Sequence, residues 1–190
     1  MITSILISSL LLGTQEAPLT CPIMQGKAAN LKSEAVLLGG FQFNFCCPGC
    51  DAKFKKDAAG AVKKAAAAKM TVGSFLFDPT TGLRIKSEDA KGSSDFKGIR
   101  YYFASEVNKA KFTADPATFA VSPKQEVLTC VVAKEAIKTH ADAAAYLDHK
   151  GVRYYICCPS CISQFKASPD KYVGNGKPQK AGFFVEAAKP

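Results

Sequence analysis

The sequence predicts an α+β fold built from tandem small modules, each a β-hairpin that runs into a helix. Three observations predict it. One pattern recurs three times, a glycine turn precedes an aromatic run in every copy, and the cysteines occur as sets inside that pattern. Gly40-Phe41-Gln42-Phe43-Asn44-Phe45-Cys46-Cys47 aligns with Gly98-Ile99-Arg100-Tyr101-Tyr102-Phe103-Ala104-Ser105 and with Gly151-Val152-Arg153-Tyr154-Tyr155-Ile156-Cys157-Cys158. A phenylalanine stands four residues beyond Cys50, Asn108 and Cys161, at Phe54, Phe112 and Phe165. Asp115-Pro116 and Ser168-Pro169-Asp170-Lys171-Tyr172 close the second and third copies. Repeats of this kind override the usual relation between chain length and domain number. The expected division is a signal peptide at 1–17, module 1 at 18–70, a degenerate module 2 at 71–123, module 3 at 124–176 and a tail at 177–190.

At the start of the chain, an apolar run from Ile5 to Leu12 is interrupted by Ser8 and Ser9 and followed by the polar stretch Gly13-Thr14-Gln15-Glu16-Ala17. It is too short to span a bilayer and fits the apolar region of a signal peptide, with cleavage before Pro18. The mature chain is then expected outside the cytoplasm, periplasmic or secreted, with no membrane span after signal removal. In each copy, apolar residues precede Gly39-Gly40, Lys97-Gly98 or Lys150-Gly151, and the alternating aromatic run follows, which is a hairpin signature. Phenylalanine and aliphatic residues at helical spacing come next, stopped by proline in copies two and three. The cysteine cluster therefore falls at the strand-to-helix turn. Ser87 to Asp95 is polar and Gly/Ser-rich and reads as a loop, while Gly182-Phe183-Phe184-Val185 is expected to add an edge strand. A unit of about 50 residues buries too little core to stand alone, so a metal or its neighbours must help hold it.

Composition narrows the function classes. With 47% hydrophobic and 22% charged residues the chain is an ordinary globular protein. Its net charge of +9 comes from lysines scattered over Ala/Lys stretches such as Lys63 to Lys69, which reads as a solvated face and not as a nucleic-acid footprint. Tyr101, Tyr102, Tyr154 and Tyr155 follow sheet periodicity and are expected in or near the core instead of forming a base-stacking platform. No Ser-His-Asp set, phosphate loop or paired carboxylates point to an enzyme. His140 and His149 read as surface residues, and Met24 as core packing.

The eight cysteines carry the chemistry. Copy one has Cys21, then Cys46, Cys47 and Cys50; copy three has Cys130, then Cys157, Cys158 and Cys161. Copy two has Asp78, Ala104, Ser105 and Asn108 at those places and no cysteine. Cysteines gained or lost as complete sets suit a shared ion, because a partial thiolate set binds poorly. Two thiolates across a tight proline turn can converge on one soft or borderline ion, zinc or copper, and the upstream cysteine completes the shell. Strand alternation favours Cys21, Cys46 and Cys50 as one trio, but if the strand ends at Cys46 then Cys47-Pro48-Gly49-Cys50 is a knuckle and Cys47 becomes a ligand. Two ions per chain are expected, with the middle copy empty. Two other readings stay open. Eight cysteines in an oxidising compartment can make a disulfide-stapled interaction module, and Cys47-x-x-Cys50 or Cys158-x-x-Cys161 can serve thiol-disulfide exchange.

Gly151-Val152-Arg153-Tyr154-Tyr155-Ile156-Cys157, continued by Cys161, Phe165, Pro169 and Tyr172, resembles the YHS domain and its relative the TRASH domain. Cys21-Pro22-Ile23-Met24 is similar to the opening of that module, and Asp78-Pro79-Thr80-Thr81-Gly82 is similar to its Asp-Pro-x-Cys-Gly opening with Thr81 in place of the cysteine. Met24 and Ala133 stand where a cysteine often sits. The resemblance implies a treble-clef or zinc-finger-like fold and heavy-metal binding in sensing, trafficking or resistance. A metal transporter or another exported protein would be the partner.

Overall fold

Three two-residue turns organise the chain, which is described here for residues 16–186 of a computed structural model. The apolar run Ile5–Leu12 and the signal peptide expected there lie outside the described residues. Strands β1 (Val36–Leu38) and β2 (Phe41–Phe43) meet at Gly39-Gly40 and lead to helices α1 (Cys50–Lys56) and α2 (Ala58–Ala67). Strand β3 (Gly73–Phe75) then precedes a second hairpin, β4 (Gly92–Phe96) and β5 (Ile99–Phe103), and helices α3 (Glu106–Ala114) and α4 (Pro116–Ala120). Next come β6 (Gln125–Val127) and the short pair β7 (Thr129–Cys130) and β8 (Glu135–Ala136). A third hairpin, β9 (Ala145–His149) and β10 (Val152–Ile156), runs into α5 (Pro159–Ala167) and α6 (Pro169–Tyr172), and β11 (Gln179–Lys180) closes the series. Both residues of every hairpin turn have positive φ: 59° and 84° at Gly39-Gly40, 49° and 79° at Lys97-Gly98, 48° and 77° at Lys150-Gly151. Such turns match the right-handed twist of the paired strands, and glycine adopts them without a Cβ clash.

The fold is thus α+β, with cysteine clusters compatible with zinc-finger-like modules. Two sheets carry it. The larger has the order β1-β2-β3-β5-β4, with β3 antiparallel to β2 and parallel to β5. The smaller has the order β11-β6-β10-β9, with β6 parallel to β10. Strands β3 and β6 therefore play the same part, each lying beside the second strand of the hairpin that follows it. Cross-strand ion pairs repeat too: Asp95 opposes Arg100 and Asp148 opposes Arg153, each with an Oδ1–Nε distance of 2.8 Å.

Alternation buries aromatic rings where the hairpins meet. Phe41, Phe43, Tyr101 and Tyr155 are fully buried, Tyr154 is buried and Tyr102 half-buried, as sheet periodicity predicts. Phe75 links the units, its ring 4.7 Å from Phe41, 5.7 Å from Tyr101 and 5.5 Å from Tyr146. Phe77 reaches Tyr155 at 5.8 Å. Each helix pair breaks at one residue of nearly the same conformation, Asp57 (φ −151°, ψ 70°), Asp115 (−147°, 74°) and Ser168 (−153°, 67°). Asp57 and Asp115 cap the second helix by accepting the N–H groups of Gly60 and Thr118, and Pro116 and Pro169 take the first turn, where no N–H is needed.

Two expectations are overturned. Ser87 to Asp95 is not simply a loop, because Gly92–Phe96 pairs along its whole length with β5. As the outermost strand it needs only backbone pairing on one side, so a polar sequence suffices. The edge strand of the tail is Gln179–Lys180, paired with β6, and not Gly182–Val185. Phe183 and Val185 are instead buried as core plugs, Phe183 with its ring 4.9 Å from Phe41.

Candidate metal centres

Each cluster is assembled from three places in the chain. The first is a tight knuckle that opens at Cys21, Asp78 or Cys130. Flanking these residues, Thr20 bridges to Ala28, Phe77 to Arg84 and Thr129 to Ala136, all antiparallel. Within the knuckle, the Cys21 N–H donates to the Lys27 carbonyl at 2.8 Å and the Asp78 N–H to the Leu83 carbonyl at 2.9 Å. The second place lies just past the second hairpin strand, at Cys46, Ala104 or Cys157, and the third is the first turn of the helix, at Cys50, Asn108 or Cys161.

These positions converge. The Sγ atoms of Cys21, Cys46 and Cys50 all lie within 4.8 Å of one another, and so do those of Cys130, Cys157 and Cys161. All eight thiols are free. The fourth cysteine of each set also stands close: Cys47 Sγ is 3.2 Å from Cys50 Sγ and 3.5 Å from Cys46 Sγ, and Cys158 Sγ is 3.0 Å from Cys161 Sγ. Strand β2 ends at Phe43, so alternation does not force Cys46 and Cys47 to opposite faces, and both remain beside Cys50.

Local chemistry prepares the thiols unequally. Burial works against ionisation of Cys21, but the N–H groups of Met24, Cys46 and Ile23 outweigh it and lower its pKa; the Met24 N–H is 3.4 Å from the sulfur. At Cys130 burial is likewise outweighed, here by the N–H groups of Ala133 and Cys157 among others. Cys158 is lowered to about 7, first by the Cys161 thiol and then by the Ser160 hydroxyl. The neighbours move the other way. The hydrogen bond with Cys47, then burial, pushes Cys50 up to about 12, and the bond with Cys158, then burial, pushes Cys161 up to about 11. Burial is the first cause of the upward shifts of Cys46 and Cys157. Sulfurs this close cannot all ionise side by side unless a cation lies between them. An all-sulfur set suits a thiophilic ion, zinc or copper(I), and offers nothing to a hard cation.

The middle knuckle solves the same geometry without sulfur. Asp78 is 1% exposed. Its Oδ2 accepts from the Ala104 N–H at 2.9 Å and from the Asn108 amide at 2.8 Å, while Oδ1 accepts from the Thr80 N–H and hydroxyl at 2.9 and 2.7 Å. One carboxylate thereby ties together the three places that carry thiols in the other clusters. The sequence alone shows Asp78, Ala104 and Asn108 only as places without cysteine, and not that the acid accepts from the other two. The signal was present in the matched positions of an acid and an amide.

His140 is not a surface residue. It is 5% exposed, with Nε2 at 2.8 Å from the carboxylate of Glu126, itself 3% exposed, and its ring edge-on to Tyr155. Glu126 precedes it by fourteen residues on β6, a pairing that no local pattern reveals. His149, the last residue of β9, meets Asp170 of α6 at 2.9 Å and belongs to neither trio. Met24 is 40% exposed, so it is not core packing; its backbone serves Cys21, while its side chain faces outward. No helix among the described residues is long and apolar enough to cross a membrane.

Residues 76–122 match the YHS domain family. The match begins two residues before Asp78 and falls on the segment that lacks cysteines. No curated protein and no solved structure matches the chain significantly.

Proposed function

We propose that this chain is an exported heavy-metal-binding protein, made of three YHS/TRASH-like modules at 18–70, 71–123 and 124–176, that holds two zinc or copper ions. The observation that carries the reading is the pair of cysteine trios with sulfurs within 4.8 Å. Cys21, Cys46 and Cys50 with Cys47 would hold one ion, and Cys130, Cys157 and Cys161 with Cys158 the other. The middle module, already closed by Asp78, would take none and would space or orient the loaded pair. Metal trafficking, sequestration or structural support follows from such a design, with a metal transporter or another exported protein as partner. No catalytic role is assigned.

Metal analysis of the reduced chain after titration with zinc tests this. Two ions are expected for the wild type, and one after Cys46, Cys47 and Cys50 are all changed to Ser. A wild-type value of one would mean a single shared site, and a value of three would mean that the middle module also binds. Mass spectrometry of the native protein should find it starting near Pro18; a retained Met1 with cytosolic fractionation would overturn export.

One observation favours a second reading. Cys158 stands immediately before α5 with its pKa lowered to about 7 and lies 3.0 Å from Cys161 Sγ, a setting that suits thiol-disulfide exchange. Turnover of a disulfide substrate by metal-free protein, with loss of turnover in Cys158→Ser, would favour that reading over metal binding.

A further inference from the structure

The two thiol clusters share a plan but differ at the turn after the strand. In the third module Cys158 is the residue before the helix, Pro159 takes its first position, and the Cys158 sulfur sits 3.2 Å from the Ser160 hydroxyl, half-buried against the core. In the first module the equivalent turn is Pro48-Gly49, and Gly49 has φ +82°. That left-handed residue delays the helix until Cys50. Cys47 is consequently left on an open turn, and it is exposed. A cavity of about 750 Å³ opens there, lined by Cys46 and Cys47 together with Asn30, Glu34, Leu37 and Asp51. The first cluster thus has one buried flank, formed by Cys21 and Cys50, and one flank that faces a cleft wide enough for another molecule.

We propose that the first cluster is the exchange site, which gives its ion to an incoming thiolate that enters through this cleft and replaces Cys47, while the third cluster retains its ion. This rests on the metal-binding reading above. Each exchange swaps one metal–sulfur bond for another, and the displaced cysteine takes up the proton that the incoming thiol gives up, so no oxidant or reductant is required. Cys47 is the natural leaving ligand because it is exposed on an open turn, whereas Cys158 is half-buried against the core at the residue that leads into α5. The incoming thiolate can belong to a small molecule or to a cysteine on a partner's surface.

The full chain is loaded with two zinc ions and challenged with a small dithiol or with the same thiol fixed to a polymer too broad for the cleft. Zinc release is followed with a chromogenic indicator. One ion per chain should leave at least about tenfold faster than the other, a difference of about 1.4 kcal/mol in barrier. Release by the small thiol alone identifies a small-molecule acceptor, and release by both identifies a partner's exposed cysteine. Gly49→Ser should slow the fast ion, since a side chain there meets no neighbour within 4 Å and acts only by disfavouring the left-handed turn. Ser160→Gly should hasten the slow ion. Alkylation of the zinc-loaded wild type, mapped by mass spectrometry, gives a check that needs no variant: Cys47 should be modified at least about tenfold faster than Cys158. Two ions that leave together, or Cys158 reacting first, would overturn the exchange site and leave metal binding intact. A chain that takes up no zinc would overturn both.

Discussion

The middle knuckle and its two flanking counterparts hold the same three places of the chain together by different means. Around Asp78, a carboxylate, an amide and a backbone N–H complement one another, so the closure is complete within the polypeptide. Around Cys21 and Cys130, the three positions present only thiols, which accept and donate weakly to one another and repel when ionised. The difference teaches that what is retained is the clamp between knuckle, strand end and helix start. A buried hydrogen-bonded acid closes it in the middle knuckle, and an ion held by the thiols would be another way to do so.

Metal removal gives the largest expected effect on this contrast. Structural zinc sites built from thiolates contribute on the order of 10 kcal/mol to the folding of small modules. Chelation of the reduced protein should therefore strip hydrogen-exchange protection from α1 and α5 and from the knuckles at Cys21 and Cys130, while the amides of Ala104 and Asn108 stay protected. Equal loss in all three places would mean that the middle clamp depends on its neighbours. No loss anywhere would mean that the ions do not brace the fold.

Asp78→Ala attacks the other side of the contrast. It leaves the Ala104 N–H and the Asn108 amide without their acceptor in a buried setting, and a hydrogen-bonded charge of this kind is worth about 3 kcal/mol. Chemical denaturation should show that loss with two zinc ions still bound. Conversely, the combined substitution Asp78→Cys, Ala104→Cys and Asn108→Cys should convert the middle clamp into a third site, raising the zinc stoichiometry from two to three. A stoichiometry that stays at two would show that the knuckle geometry differs from that of its neighbours more than its hydrogen bonds suggest.

Much of this was legible in the sequence because it is local. The turns at Gly40, Gly98 and Gly151 are announced by residues that tolerate positive φ, and the two cysteine sets that contain the trios Cys21, Cys46, Cys50 and Cys130, Cys157, Cys161 are marked by repetition, although strand alternation does not reach Cys46. What escaped depends on distant partners. Strands β3 and β6 are three residues long and are defined by pairing with β5 and β10, not by a pattern of their own. The polar strand β4 needs only β5 beside it. Asp78 and Asn108 lie thirty residues apart, so their bond is invisible until the fold unites them.

His140 belongs to the same class of distant pairing and supplies a smaller effect. Its bond to Glu126 is buried on both sides, and His140→Ala would leave that carboxylate in the core without a partner. A loss of about 2 kcal/mol is expected in urea unfolding, with zinc affinity at the Cys130 cluster unchanged. Partial recovery in the double variant Glu126→Leu, His140→Ala would show that the penalty lies in the stranded carboxylate. A fall in zinc affinity as large as that of Cys161→Ser would instead make the histidine part of the metal centre.

His149→Ala is expected to do least. His149 ends β9 just before the third hairpin turn, and its partner Asp170 is an exposed carboxylate held below its ordinary value of 3.8, first by the Lys150 ammonium and then by the His149 ring. A carboxylate whose folded pKa is depressed adds stability throughout the range above its ordinary pKa, and that contribution fades as pH falls through the depressed value. Removing His149 takes away one of two donors, so the wild type should exceed the variant slightly at pH 7, and the gap should close in acid below about pH 4. Urea unfolding at the two pH values measures it, and added salt should shrink the neutral-pH gap, because exposed pairs are screened. Zinc affinity should be the same in both proteins at pH 7. The contrast with Cys161→Ser, which removes a sulfur from the trio itself, separates a side chain that pairs with Asp170 beside the hairpin turn from a group that closes the clamp: a matching loss of zinc from both variants would place His149 within the third cluster.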